Sequence, residues 1–261
     1  MSPASPTDSP PIDWDQRVSA SLVRVRAGIH AACDRVGRPV AQVRLVAVSK
    51  HQPSGAIAAA LRAGQCDFGE NYAQELRDKQ AELSAAPLPA SPRWHFIGPL
   101  QRNKVNLIVG RVALLHTVDT IALVEALAGR VGRLREAPGG VPQDGLVQDC
   151  LVQVNVGDES QKAGCPPEDL PRILDAIAAQ NGRLRCLGLM CIPPALEDPE
   201  AVRPYFALLR RLREQQAATP RPSVTLHELS MGMSHDYEVA IAEGATLIRV
   251  GTALFGPRQP G

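Results

Sequence analysis

Little of this chain is aromatic: Phe, Trp and Tyr make up 3% of its 261 residues. Stacking platforms for nucleic-acid bases are therefore not expected. Charge of one sign is missing too, because 28 Lys and Arg offset 27 Asp and Glu to leave a formal net charge of +1. That balance gives neither a basic field for nucleic acid nor an acidic tail. No apolar run is long enough to cross a bilayer. Residues 1–11 are rich in Ser and Pro, without the apolar centre of a secretory signal or the Arg of a transit peptide. They are expected to form a disordered tail ahead of a single domain over 12–261. The cysteines, Cys33, Cys66, Cys150, Cys165, Cys186 and Cys191, contain no C-x-x-C pair and no zinc spacing, so no metal site is expected of them. Reduced, mostly buried thiols in a cytoplasmic protein are the expectation.

Lysine is also scarce, with only Lys50, Lys79, Lys104 and Lys162 in a chain otherwise rich in Arg. Lys50 ends the apolar run Leu45-Val46-Ala47-Val48-Ser49-Lys50, and the turn signal His51-Gln52-Pro53 follows it. An apolar strand thus delivers one primary amine to its C-terminal tip. Strand tips are where parallel α/β proteins bind ligands. An amine there can form a Schiff base with an aldehyde, a reaction that no Arg performs. The plainer reading is a surface lysine at a strand end.

The rest of the chain alternates strand and helix. An amphipathic stripe of Val18, Leu22, Val25 and Ile29 predicts a first helix over 14–36. Short apolar runs predict strands at 43–48, 66–69, 94–97, 113–117, within 146–154, and at 184–190, 224–229 and 246–250. Helices are predicted at 54–63, opened by a Ser54 cap, and at 73–84, 103–109, 121–135, 166–180, 199–216 and 237–243. The stretch 87–92 reads as a Pro-rich loop, and 137–144 as a Gly/Pro-rich loop or insertion. Near-continuous apolar strands fit a sheet covered on both faces. Eight strand-helix units predict a single TIM-type (β/α)8 barrel with an extra N-terminal helix. An open doubly wound sheet is the alternative, weakened because 49–54 lacks a G-x-G-x-x-G turn.

Polar and small residues gather at the predicted strand tips of a chain otherwise dominated by Ala, Leu and Val. Lys50 follows the first strand, and Phe68-Gly69-Glu70-Asn71-Tyr72 the second. Trp94-His95-Phe96-Ile97-Gly98-Pro99-Leu100-Gln101 covers the third. Ser230-Met231-Gly232-Met233-Ser234 follows the seventh, and Arg249-Val250-Gly251-Thr252 with Phe255-Gly256 the eighth. Singly, a glycine turn or a helix cap explains each. Jointly they suggest a site. Loops after the seventh and eighth strands of barrels often bind phosphate through backbone N–H groups. Ser230, Gly232, Ser234, Gly251 and Thr252 suit that role. An aldehyde at Lys50 and a phosphate across the same mouth describe pyridoxal 5′-phosphate (PLP).

This ordered set of motifs resembles the pyridoxal phosphate homeostasis proteins, from the first helix to the C-terminus. The resemblance implies a barrel like the alanine racemase N-terminal domain. It also implies a cytoplasmic carrier that sequesters, buffers or delivers PLP without robust catalysis. Residue by residue it makes Lys50 the covalent aldimine lysine and places Asn71 beside the cofactor. It sets Ser230, Gly232, Ser234, Gly251 and Thr252 around the phosphate, and turns Arg249 to the pyridine nitrogen. The chain departs from the usual pattern at His51 and Gln52, in the 137–144 loop and in the extended tail.

Arg249 has no basic atom to accept a proton, so it should leave the pyridine nitrogen neutral and the ring a weaker electron sink. Racemase relatives add a Tyr from a separate C-terminal domain of a partner subunit as a second acid/base. Here the tyrosines are Tyr72, Tyr205 and Tyr237, with Tyr72 and Tyr237 near strand tips, and no added domain is expected. An amino-acid racemase or lyase is therefore the alternative. A barrel hydrolase holding a metal through His95, His116, His235 and Asp236 is a further one, with no matching metal motif. The expected partners are PLP and apo-enzymes that receive it, with no nucleic acid or membrane, and the protein is expected to be a monomer. The sequence does not single out Lys104 or Lys162 as a second attachment point, and Lys104, after the Leu100-Gln101-Arg102-Asn103 loop, reads as a helix-start lysine.

Overall fold

A computed structural model of the chain describes residues 12–136, 145–157 and 163–256. The tail at 1–11, the insertion at 137–144 and Lys162 lie outside the described residues. Eight parallel strands pair in chain order and close into a barrel: β1 (Arg44–Val48), β2 (Asp67–Glu70), β3 (Arg93–Phe96), β4 (Leu114–Val118), β5 (Gln148–Gln153), β6 (Leu184–Met190), β7 (Val224–Ser230) and β8 (Leu247–Val250). The barrel shuts where Arg44, Leu45, Val46 and Ala47 pair with Leu247, Ile248, Arg249 and Val250. The doubly wound alternative is thereby excluded.

Helices α1 (Trp14–Arg35), α2 (Ser54–Arg62), α3 (Ala73–Ser84), α4 (Ile121–Arg135), α5 (Leu170–Ala178), α6 (Arg203–Ala217) and α7 (Tyr237–Ala242) surround the strands. The four-residue α8 (Thr252–Phe255) follows β8. The stripe on α1 is buried at Val18, Leu22, Val25 and Ile29, and Asp13 caps the helix by accepting from Gln16 N. Side chains alternate along each strand. Leu45 and Ala47 join the large core beneath the helices. Val46, Leu114, Leu151, Met190 and Leu247 form a separate cluster that fills the barrel. The same alternation turns Val48 inward along β1, and Leu247 and Arg249 inward along β8, while Lys50 lies in the turn two residues past β1.

Three local expectations change. Ser54 is the first residue of α2 rather than its cap; Pro53 takes the cap position, and Ser54 Oγ donates to Glu82. The helix expected at 103–109 is a 3₁₀ stretch, Arg102–Leu107. Asn103 and Asn106 favour helix poorly there, and Gly110 follows with φ 78°. The α5 and α6 units each begin as a 3₁₀ turn, Pro167–Asp169 and Pro199–Val202, before the α-helix starts. Five of the cysteines are buried, whereas Cys66 is exposed.

Candidate functional site

The polar strand tips meet at the C-terminal face of the barrel. Val48 pairs with Gly69 in β2, and Ala47 with Val250 in β8. Lys50, two residues past Val48, therefore stands between Asn71 and the Gly251 turn. Three glycines set how closely these turns approach. A Cβ on Gly98 would lie 2.1 Å from the backbone oxygen of Asn71, so the β3 turn can press on Asn71 only as glycine. A Cβ on Gly251 would lie 3.3 Å from Val48 Cβ and from its carbonyl oxygen. Gly232 has φ 91°, its Cβ would lie 2.6 Å from Ala240 Cβ, and its carbonyl accepts from Arg249 N at 3.0 Å.

A buried cluster braces the turn that carries Lys50. Lys79 of α3 sends its ammonium to Ser49 O at 2.6 Å and to Glu70 Oε1 and Glu75 Oε1 at 2.7 Å each. Ser49 Oγ donates to the same Glu70 oxygen at 2.7 Å, and His51 N donates to Glu75 at 2.6 Å. Burial raises the Glu70 carboxyl, with the Lys79 charge acting against it. His51 adopts φ 60° and lays its ring 5.1 Å from Tyr72, which is half exposed. The sequence reading named neither Lys79 nor Glu75 as part of the site. Their spacing of four on one helix was the available signal.

The β7 and β8 tips form the opposite side. Arg249 is 4% exposed; its Nη1 donates to Ser230 Oγ at 2.7 Å and its Nη2 to the Cys191 carbonyl at 2.9 Å. Burial lowers the Arg249 pKa, while Cys191 and Asp236 act against that. Ser230 is fully buried, with its hydroxyl 2.8 Å from His116 Nδ1. Asp236 accepts from Met233 N at 2.6 Å and shapes the β7 turn. Ser234 Oγ faces Ala253 N at 3.5 Å, bringing that turn against the first turn of α8. Gly251 and Ser234 are half-buried, and Thr252 is exposed.

Other sequence candidates fall elsewhere. The Tyr237 hydroxyl sits against α1, only 2.2 Å from where a Gly28 Cβ would stand, so it is turned away from the mouth despite its place near a tip. Tyr205 packs on the outer helix α6. His95 and His116 do lie together, 2.9 Å apart, but His235 is exposed and its Nε2 donates to the Glu197 carbonyl at 2.8 Å. Among the described residues no three His, Cys, Asp or Glu side chains converge to hold a metal ion.

Asn71 Oδ1 is buried with no hydrogen-bond partner, a cost of about 1–3 kcal/mol that a polar ligand would remove. The amine at Lys50 and the donor-only Arg249 also match an aldehyde and a basic ring nitrogen. The residues present fit PLP.

The alanine racemase N-terminal domain family matches residues 21–259. A pyridoxal phosphate homeostasis protein of Pseudomonas aeruginosa is 43% identical, over 94% of this chain and 97% of its own length. The chain belongs to the pyridoxal phosphate homeostasis protein family. Another member, from Aquifex aeolicus, is 42% identical over 91% of this chain and 97% of its own. Among solved structures, PipY of Synechococcus elongatus PCC7942 with PLP bound superposes with a TM-score of 0.75 at 37% identity, covering 92% of this chain and all of that one. Membership and the closed barrel thus agree with the sequence expectation. No helix among the described residues is long and apolar enough to cross a membrane.

Proposed function

We propose that this protein binds PLP at the C-terminal face of its barrel, covalently through Lys50, and sequesters, buffers or delivers it without robust catalysis. The observation that carries the reading is the pairing of β1, two residues before Lys50, with β8, which carries Arg249. When bound, the cofactor supplies an aldehyde that condenses with an amine and releases water, and an electron-accepting ring. Lys50 supplies the amine, and Lys79 with Glu70 and Glu75 holds the turn that aims it. Asn71 offers its unpaired amide oxygen to the ligand. Gly232, Ser234, Gly251 and Thr252 present backbone N–H groups and hydroxyls to the phosphate, as anion-binding turns do. Ser230 belongs with Arg249 instead, because its hydroxyl is engaged by His116.

The same residues favour holding the cofactor over turnover. Arg249 donates only, so it leaves a ring nitrogen unprotonated and carbanion chemistry weakly supported. Tyr237 faces α1, which leaves Tyr72 as the tyrosine near Lys50. On this reading the recipients are apo-enzymes needing the same cofactor, and the protein acts as a monomer in the cytoplasm. The test is to mix PLP-loaded protein with an apo-enzyme and with amino acids in deuterated water. Stoichiometric transfer with no α-hydrogen exchange is expected. Catalytic exchange would establish the racemase or lyase reading instead.

A further inference from the structure

A row of polar side chains crosses the barrel beneath Arg249. At the N-terminal face, Arg93 grips Asp67 through Nε at 2.6 Å and Nη2 at 2.7 Å. Asp67 Oδ1 is 2.8 Å from His95 Nε2. His95 Nδ1 is 2.9 Å from His116 Nε2, and His116 Nδ1 is 2.8 Å from Ser230 Oγ. Ser230 then accepts from Arg249 Nη1. His95, His116 and Ser230 are at most 1% exposed.

Proton counting gives this row one direction. The Asp67 carboxylate can only accept, so His95 must carry its hydrogen on Nε2. A neutral His95 then accepts at Nδ1, which requires a hydrogen on His116 Nε2. A neutral His116 accepts at Nδ1, and Ser230 must donate to it. That leaves the Ser230 oxygen to accept from Arg249. Every bond between Arg249 and Asp67 points towards Asp67, and each buried group in the row is satisfied. Apolar side chains fill the barrel elsewhere and would cost no satisfied network here.

We propose that Asp67, His95 and His116 are positioning residues: their one-way hydrogen-bond chain orients the Ser230 hydroxyl and so locks the Arg249 guanidinium where it meets the cofactor ring. This rests on the reading that Arg249 serves PLP. The electrostatics are consistent with it. Burial drives both histidines towards the neutral form; Asp67 opposes this at His95, while Arg44 adds to it at both rings, with Arg93 at His95 and Arg249 at His116. Burial pushes the Asp67 carboxyl up, but hydrogen bonds from His95 and Arg93 outweigh it and hold it at about 2.

Two measurements test the chain. The first is long-range ¹H–¹⁵N NMR of ligand-free, ¹⁵N-histidine-labelled protein, with assignments from His95→Gln and His116→Gln. Both rings should be neutral with the hydrogen on Nε2 at pH 7; a hydrogen on Nδ1 or a charged ring at either would overturn the proposal. The second is a cycle of Asp67→Ala, Ser230→Ala and the double variant, reading PLP release rate beside thermal stability. Each single change should speed release about tenfold, and the double no more than the faster single. Multiplied effects, near a hundredfold, would overturn it. The tautomers are readable without PLP, so failure of the chain and failure of the cofactor assignment are distinguishable.

Discussion

Lys79 Nζ donates to the carbonyl of Ser49 at 2.6 Å, one residue before Lys50. A second lysine, on a different element, therefore holds the backbone that presents the first. It does so from a position 6% exposed, balanced by Glu70 beneath and Glu75 on its own helix.

Breaking that cluster should be costly. Lys79→Met strands the buried Glu70 carboxylate, and removing one partner of a buried pair costs about 3–5 kcal/mol. Urea denaturation should show a loss of that order, with much of it recovered in the Glu70→Gln/Lys79→Met double variant. The single variant should also load PLP more slowly, because the Lys50 turn loses its brace. An unchanged midpoint would mean that the pair is not formed as described.

Gly98 fixes Asn71 by contact. Gly98→Ala places a methyl 2.1 Å from the Asn71 oxygen, so one turn must move. The expected cost is about 1–3 kcal/mol, with weaker PLP binding measured by equilibrium dialysis. Gly37→Ala, at a turn with nothing within 4 Å but φ 64°, should lower stability without altering PLP binding.

Acid should weaken the fold in two stages. Burial holds His116 and His95 below their ordinary value of 6.5. Such groups contribute stability that is complete above 6.5 and lost as pH falls below it, because only the unfolded chain takes up the proton. Each ring adds a slope of about 1.4 kcal/mol per pH unit in that window. Asp67, lowered to about 2 from 3.8, adds stability that is present above 3.8 and fades as pH falls through about 2. Denaturation series at pH 5 to 7 should show the first slope, and His116→Leu should reduce it.

The barrel was legible because its strands are short apolar runs at regular spacing, and α4 and β6 fall where periodicity put them. Local turns were harder. Nothing in Thr252-Ala253-Leu254-Phe255 distinguishes a four-residue helix from a loop, and Ser54 looked like a cap until Pro53 took that place. Lys50 stood out from its own strand, as the one primary amine at the end of the apolar run 45–49. The row beneath Arg249 did not. His95 lies 28 residues from Asp67, and His116 lies 114 from Ser230, so only barrel closure joins them. Read as isolated histidines, they suggested a metal; placed in register, each satisfies the other.

The most direct measurement of the central claim is borohydride reduction of PLP-loaded protein followed by peptide mapping, beside a Lys50→Ala variant. A pyridoxyl group should appear on Lys50 and vanish from the variant. A group mapped to Lys79, Lys104 or Lys162 instead, or a variant still carrying a full covalent load, would contradict it.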